Sequence, residues 1–307
     1  MSNIKKALLR TAAVAILALA TTTFASAQDF LGGLGPQSAQ KQQTTQQTTK
    51  KKAKTVKKVN LPDKPNKTDA KGLKQGEWAK KYPNGQYMYV AKFKDGKPVG
   101  KVTRYDEHGR KTAVLTYKTA SDTVKVVFYH ANGKTQARGQ YVDDLREGLW
   151  RTYNEDGVLV ESASYSKNKL HGKRCYYFSS GALWSVCTWT DSLRNGPFIR
   201  YFPSGAKEIE ATFRGDVLDG VYKSWGSDGK LTSEGTYKMG VTVGKWHLRY
   251  PDAGVEGDII YDSRGRITNT DEADSLFIKR DQYYQKNVGK FKDPQDYMNN
   301  PEEYIAN

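Results

Sequence analysis

One phrase recurs at a fixed spacing through most of the chain, and it limits the folds that the chain can adopt. GEWAKKYPNG at residues 76–85 returns as GLWRTYNEDG at 148–157, as GPFIRYFPSG at 196–205 and as GVYKSWGSDG at 220–229. Eight copies start 24 residues apart, from Gly76 to Gly244, and only the third, at Val124, lacks the opening glycine. Self-similarity at a fixed period is typical of a stacked array of equivalent units.

Within each repeat the residue types predict a β-hairpin. Positions are counted here from the opening residue as zero, and position 9 is a turn glycine in seven of the eight repeats. In repeat 6 a strand-like run ends at Pro203-Ser204-Gly205, where proline sets φ and glycine permits a positive φ. Such punctuation excludes helical repeats, and the unit is too short for a propeller blade. The sequence therefore predicts an all-β fold, an elongated single-layer antiparallel β-meander of eight hairpins, or 16 strands, with a capping helix over 271–287.

Aromatic side chains occupy repeated positions of this predicted sheet. Position 17 is aromatic in all eight repeats, position 5 is mostly tyrosine, and position 15 is mostly small. Because side chains alternate between the faces of a strand, positions 2 and 5 lie on opposite faces unless a bulge intervenes. The rings at position 2 either pack into the aromatic rows or contact a ligand or partner. The candidates for such contact are Trp78, Trp150, Phe198, Tyr222 and Trp246.

The first 75 residues differ in kind from the repeats. A basic stretch and an uncharged apolar run precede Ala25-Ser26-Ala27, which predicts a secretory signal at 1–27, cleaved between Ala27 and Gln28. Residues 28–75 are rich in Lys, Gln and Thr and predict a disordered linker. The repeats then fill 76–267, and a helical cap and tail fill 268–307. We expect an exported protein, periplasmic or extracellular, that is neither a lipoprotein nor transmembrane after cleavage.

The positive charge of the chain is concentrated before the repeats. Of a net charge of +16, residues 28–75 carry +8, from 11 Lys and 3 Asp. A basic linker of this kind is attracted to anionic lipid or glycan surfaces, and the alternative is that it only keeps the chain soluble. It has no interleaved aromatic residues for base stacking, so we expect no nucleic-acid partner.

Residues with catalytic or ligating chemistry are sparse. The four histidines fall at unrelated positions of different repeats, and no metalloprotease motif, nucleophile elbow or phosphate loop is present. The sequence predicts no enzyme, no cofactor and no metal site. Cys175 and Cys187 both lie in repeat 5 and are candidates for a disulfide, which an exported protein permits; the alternative is that Cys187 is one more small residue of position 15.

GEWAKKYPNGQYMYVAKFKDGKPVG and GLWRTYNEDGVLVESASYSKNKLHG resemble the bacterial variant of the MORN repeat, a pattern also named YwqK-like antitoxin. The resemblance covers residues 76–267. It implies an elongated array of hairpins with an interaction or scaffolding role, no catalytic residue set, and links with membranes and protein partners. The antitoxin name fits poorly with an exported protein, which does not meet a cytoplasmic toxin.

These observations together predict a non-enzymatic protein-interaction scaffold of the bacterial cell envelope, with an envelope protein as its partner. Two alternatives stay open at this point. The aromatic rows could bind a cell-wall glycan, since ring faces stack on sugars, and the repeats are also similar to choline-type wall-binding repeats. The basic linker could instead hold the protein at an anionic membrane surface.

Overall fold

The structure is a computed structural model, and residues 65–118 and 123–287 of it are described. Within these residues the chain forms one 18-stranded sheet and one helix, Thr270–Lys286. This confirms the predicted class, an antiparallel meander of β-hairpins with a C-terminal helix. The 16 predicted hairpin strands are β2 to β18, with β14 and β15 counted as one opening strand that is interrupted at Asp219.

Each repeat contributes one opening strand and one return strand. The bounds are β1 Lys67–Thr68, β2 Lys74–Lys81, β3 Tyr87–Lys94, β4 Lys97–Tyr105, β5 Lys111–Tyr117, β6 Thr123–Tyr129, β7 Thr135–Val142, β8 Leu145–Tyr153, β9 Leu159–Ser166, β10 Lys169–Tyr177, β11 Leu183–Thr190, β12 Leu193–Tyr201, β13 Lys207–Arg214, β14 Val217–Leu218, β15 Gly220–Trp225, β16 Leu231–Lys238, β17 Val241–Tyr250 and β18 Val255–Tyr261.

Neighbours in the sheet are neighbours in the chain. β2 pairs antiparallel with β1 and β3, and the same rule continues strand by strand to the pairing of β17 with β18. At the interrupted strand, both β14 and β15 pair with β13, and β15 then pairs with β16. Short antiparallel connections of this kind need no crossover, which is why a 24-residue unit is sufficient.

Two kinds of turn alternate along the sheet. The turn within a hairpin contains the predicted glycine: the Gly157 amide donates to the Asn154 carbonyl at 2.9 Å, and the Asn154 amide donates to the Val158 carbonyl at 2.9 Å. The turn between repeats has two residues that both adopt positive φ, as at Asp143 (50°) and Asp144 (61°). Turns of this type match the right-handed twist of paired strands. We call the side of the sheet formed by these two-residue turns the turn edge.

The opening glycine lies inside a strand rather than at its start. Gly148 is the fourth residue of β8 and has a φ of 67°. Around it, Arg138 pairs with Arg151 and Gln140 pairs with Glu147, so β8 carries two residues more than β7 over the same stretch. Within the described residues, this two-residue bulge occurs at six of the seven pairings between repeats. The seventh, β5–β6, is the one where valine replaces the glycine, and it is regular.

The two faces of the sheet carry different side chains. Positions 2, 15 and 17 share one face, which we call the ladder face; there Trp150 lies opposite Ala163. Positions 3, 5 and 14 share the other face, which we call the tyrosine face. On that face Arg151 lies opposite Ser162, whose Oγ is 3.1 Å from the hydroxyl of Tyr177. Positions 2 and 5 are thus on opposite faces, and both faces carry rings.

The sheet begins before the predicted boundary. β1 pairs with β2 through Lys67 and Gln75, so the end of the segment predicted as a disordered linker belongs to the sheet. Asp69 explains this, because its Oδ1 accepts the amides of Lys71 and Leu73, both at 2.9 Å, and closes a turn like those inside the hairpins. The prediction of a linker over residues 28–75 was therefore wrong for residues 65–75. The rest of it lies outside the described residues.

Asparagine side chains close both edges of the sheet. At the first edge, the Asn66 amide donates to the Glu77 carbonyl at 2.9 Å, and Asn66 Oδ1 accepts the Ala79 amide at 2.8 Å. At the last edge, Asn269 Oδ1 accepts the Ile260 amide at 2.7 Å, and its Nδ2 donates to another carbonyl of β18 at 2.9 Å. These contacts occupy backbone groups that would otherwise offer a template to another strand.

The C-terminal helix packs on the ladder face of the last repeats. Its residues Ala273 and Leu276 are buried together with Tyr237, Trp246 and Ile259 in one cluster, and Ile259 is fully buried. Acidic residues occupy the first turn of the helix, where its dipole favours negative charge. The predicted helix over 271–287 is confirmed, with an N-terminus one residue earlier.

Candidate interaction surfaces

The rings of the ladder face contact one another within and between several repeats, mostly edge-to-face. Within repeat 4, the Trp150 ring lies 6.4 Å from the Tyr165 ring at 77°. Between repeats, Tyr141 approaches Trp150 at 5.0 Å and Tyr237 approaches Trp246 at 4.9 Å. Edge-to-face pairs of this kind stabilise a fold by about 0.5–1.5 kcal/mol each beyond the burial of area. The rows that the repeat predicts are therefore a packing device of a single-layer sheet.

Trp150 and Trp246 are buried because glycine lies beneath each of them. Their side chains are 8% and 5% exposed. A Cβ at Gly139 would lie 2.2 Å from the Trp150 ring, and a Cβ at Gly235 would lie 2.1 Å from the Trp246 ring. Neither ring presents a face to solvent, so these two of the five candidate residues cannot form a surface that a partner contacts. Trp246 also donates its Nε1 to the Thr236 carbonyl at 3.2 Å.

Trp78 is half-buried and tied into the first edge of the sheet. Its Nε1 lies within hydrogen-bond distance of two carbonyls, that of Lys67 at 3.1 Å and that of Gln75 at 3.2 Å. Its ring meets Phe93 edge-on at 5.9 Å, and Lys74 Nζ lies 4.7 Å from the ring centre. These contacts use the ring and its only polar atom within the protein.

Phe198 and Tyr222 occupy the same column and are also half-buried. Phe198 meets Phe213 edge-on at 5.9 Å, and Tyr222 stacks on Trp246 at 5.9 Å. Burial raises the pKa of Tyr222 above its ordinary value. The structure thus places all five candidates in one packed row of the ladder face and does not bring them together as an open site.

Repeat 5 replaces the ring at position 2 with a charged residue. Arg174 Nε lies 2.7 Å from Glu161 Oε1, and the two side chains are only 15% and 16% exposed. The guanidinium also lies 4.9 Å from the Tyr176 ring and 5.6 Å from the Trp189 ring. Burial raises the pKa of Tyr176 to about 12. An arginine that is stacked and paired in this way substitutes for an aromatic side chain in the ladder.

The two cysteines of repeat 5 are free thiols, so the candidate disulfide is not formed. Cys175 lies opposite Val186, whereas Cys187 lies opposite Arg174. Since neighbouring residues of a strand point to opposite faces, the two side chains are on different faces. Cys187 is buried at position 15, as the alternative interpretation predicts, and burial raises its pKa to about 11.

Large apolar side chains are exposed beside the two-residue turns. Leu145, Leu193 and Val241 occupy position 21 of repeats 3, 5 and 7 and are 40%, 49% and 38% exposed. Leu149 and Val221 occupy position 1 of repeats 4 and 7 and are 43% and 53% exposed. We call these five residues the apolar edge row. The sequence analysis did not predict this row, although an alignment of the repeats at positions 1 and 21 contains it.

Chemistry of other kinds is sparse in the described part of the chain. No group of three or more His, Cys, Asp or Glu side chains there could hold a metal ion. His247 Nδ1 lies 3.0 Å from Asp258, and Lys245 lies 2.8 Å from the same carboxylate. Hydrogen bonds from Lys245 and His247 lower the pKa of Asp258. This group is an exposed ion-pair network, which contributes little to stability.

The localisation prediction has two parts, the lack of a membrane-spanning helix and the cleaved secretory signal, and they concern different residues. No helix within 65–118 and 123–287 is both long and apolar enough to cross a membrane. The predicted signal and its cleavage between Ala27 and Gln28 lie outside the described residues, as does most of the basic linker.

The family model of the MORN repeat variant matches residues 146–167 and 218–239. Each match runs from position 22 of one repeat to position 19 of the next, which is one hairpin between two turns of the turn edge. The resemblance is thus confirmed at two of the eight repeats, and the YwqK-like name is not confirmed. No curated protein is similar enough in sequence to count as a relative.

Partial likenesses to solved structures exist. TarM of S. aureus is 11% identical over 43% of this chain and 21% of that chain, with a TM-score of 0.21. The Tc holotoxin pore of Photorhabdus luminescens is 11% identical over 66% of this chain and 13% of that chain, with a TM-score of 0.19. The chain spans about a fifth or less of either chain, and TM-scores this low carry no argument about fold or function.

Proposed function

From the premise that two hairpins of this chain are MORN-repeat variants, we propose that the protein is an exported, non-enzymatic scaffold that binds an envelope protein along its turn edge. MORN-variant repeats suggest interaction with proteins or membranes. The observation that carries the proposal is the apolar edge row, in which exposed Leu and Val side chains occupy position 21 of repeats 3, 5 and 7 and position 1 of repeats 4 and 7. Repeated exposed apolar side chains mark an interaction surface more often than an isolated one does.

Charged residues of both signs flank the apolar edge row. Asp143 and Asp144 directly precede Leu145, and Asp191 lies two residues before Leu193; all three aspartates are exposed. Arg146 and Arg194 directly follow Leu145 and Leu193, and Lys169 Nζ lies 3.8 Å from Asp191 Oδ1. Apolar side chains flanked by both signs of charge suit a protein partner with complementary charged groups. The packed rings of the ladder face give the glycan alternative no open aromatic site at the five candidate positions.

Photo-crosslinking from single positions tests the partner surface. A photoreactive amino acid is placed at Leu149, Leu193 or Val221 in the full chain, and adducts are collected from intact cells. We expect the same partner from all three positions, because one partner would span several hairpins. Matched controls are Ser180, Ser204 and Ser227, which are exposed in the turns within hairpins. Adducts of equal yield at the controls, or none at the edge, would contradict the proposal.

Export is tested separately by the mass and location of the protein. We expect the mature chain in the envelope fraction to begin at Gln28. Ala27→Arg blocks cleavage in this scheme, because the cleavage motif needs a small residue there, whereas Ser26→Ala leaves cleavage intact. Recovery of the full-length chain in the cytoplasm would refute export. The crosslinking result would still test the partner surface.

A further inference from the structure

The centre of the tyrosine face is a row of directly paired side chains from positions 3 and 14. At its N-terminal end the pairs are apolar or neutral, such as Thr103 with Val114. Near its C-terminal end they are oppositely charged, and Lys223 Nζ lies 2.6 Å from Glu234. Pairs of opposite charge across strands are stabilising, and like charges directly opposite are destabilising.

One pair in the middle of this row breaks the rule. Arg138 of β7 and Arg151 of β8 lie directly opposite each other. Neither arginine forms an ion pair with a carboxylate in the described part of the chain, in contrast to Lys223 and Arg174. Two unneutralised guanidinium groups on adjacent strands raise the free energy of the folded chain, and an anion bound between them would remove that repulsion.

A third cation, Lys134, and a surface cavity adjoin Arg138. A surface cavity of about 450 Å³ is lined by Lys134, Arg138, Tyr153 and the turn glycines Gly133 and Gly157. Lys134 Nζ donates to the carbonyl of a neighbouring turn at 2.9 Å, and it too has no carboxylate partner among the described residues. The Arg138 guanidinium lies 5.4 Å from the Tyr153 ring, which orients it beside the cavity.

We propose that Lys134 and Arg138 bind a small organic anion through its carboxylate or phosphate group, with the body of the ligand against Tyr153. Arg151, directly opposite Arg138, adds positive charge beside the cavity. The patch ends quickly along the row, since Val127 lies on one side of the arginine pair and Ser162 on the other. A positive patch confined to one pair of strands suits a compact anion better than a polyanion that runs along the sheet.

Calorimetric titration of the full chain at low salt tests the site. The probes are citrate, which presents carboxylates, glucose 6-phosphate, which presents a phosphate, and glucose as the neutral control. We expect one of the two anions to bind at a single site and glucose not to bind. Arg138→Gln should weaken the binding about tenfold or more, as expected for the loss of a charge-assisted hydrogen bond. Arg151→Gln should weaken it by a smaller factor, because it removes a charge next to Arg138 rather than a residue of the cavity lining. Binding should also weaken as salt is added.

Lys223→Gln is the matched control, because Lys223 occupies the same repeat position as Arg151 but is already paired with Glu234. We expect it to leave anion binding unchanged. A second readout is thermal unfolding: without ligand, Arg151→Gln should raise the midpoint relative to wild type because a like-charge contact is lost. The proposal is overturned if neither anion binds the wild-type chain, or if Arg138→Gln binds as the wild type does.

Discussion

Two junctions between repeats in the same sheet, β5–β6 and β7–β8, reach the same 24-residue spacing in different ways. At β7–β8 the strands are joined by the two residues Asp143 and Asp144, and β8 then bulges at Gly148. At β5–β6 the register is regular, and the strand ends Tyr117 and Thr123 are farther apart in the sequence than Val142 and Leu145. The bulged junction therefore holds two residues inside the strand that the regular junction holds in its connection.

The register shows this exchange directly. At the regular junction, position 17 pairs seven residues ahead, Tyr117 with Val124. At the bulged junction it pairs five residues ahead, Tyr141 with Arg146. The difference of two residues equals the size of the bulge. Because the period of the sequence is unaffected, a count of repeat spacing cannot distinguish the two junctions.

The side chains at the junctions differ in the same way. Opposite the bulge, Gly139 lies under Trp150, whereas at the regular junction Leu115 lies opposite Val126. At another bulged junction the residue at position 15 is larger and the ring that faces it from the next repeat is smaller, as where Cys187 faces Phe198. A large ring on a bulge thus requires the smallest residue beneath it, since protein interiors are close-packed.

The largest expected effect comes from filling the space beneath a bulge. Gly139→Ala should lower the free energy of unfolding by about 3 kcal/mol, because its Cβ would overlap the Trp150 ring. Chemical denaturation measures the change. The same substitution in a Trp150→Val background, which copies the Val126 of the regular junction, should cost less than about 1 kcal/mol. Equal costs in the two backgrounds would show that the ring is not the obstacle.

The next largest loss of stability is expected at the junction before repeat 5, where Glu161 pairs with Arg174. Glu161→Ala leaves Arg174 on the ladder face without its carboxylate, and we expect a loss of about 2 kcal/mol, less than for a fully buried pair. The double variant Glu161→Ala with Arg174→Phe copies the Phe198 and Ala137 of other repeats and should recover most of this loss. Denaturation midpoints of the two variants, compared with wild type, decide whether the ion pair substitutes for a ring.

The two junctions should lose unequal amounts of stability when their opening residues are exchanged. Gly148→Val places a branched side chain at a φ of 67° and should cost about 1–2 kcal/mol. Val124→Gly, at a residue without positive φ, should cost less than about 1 kcal/mol through backbone entropy. Thermal and chemical unfolding report both values. The reverse order would mean that the bulge does not depend on glycine.

The last and smallest expected effect is a difference in thiol reactivity beneath a bulge. Cys187 should resist alkylation at pH 8 in the folded protein, because it is buried and its pKa of about 11 keeps it protonated. Leu115→Cys, at the half-buried equivalent in the regular junction, should react faster. Mass spectrometry of tryptic peptides measures both rates. Rapid labelling of Cys187 in folded protein would show that the bulge leaves that position open.

Much of the fold could be predicted from the repeat. The turn glycines and the aromatic columns follow from local residue preferences that recur in every repeat. The position of the helix follows from the local pattern after the last repeat. The edge asparagines could not be predicted, because Asn66 and Asn269 act on the backbone of strands that they do not belong to. The five ring candidates were identified as one column, but whether a ring packs or faces solvent depends on the residue beneath it in a neighbouring repeat.

The sequence by itself determined the unit, its spacing, its hairpin and the order of the strands, since these depend on turn residues and on periodicity within a few residues. Only the tertiary structure decided the register between repeats. A shift of one residue moves every side chain to the other face, and a two-residue bulge changes which residues meet. That register separates Cys175 from Cys187, buries Trp150, exposes the apolar edge row and sets Arg138 against Arg151.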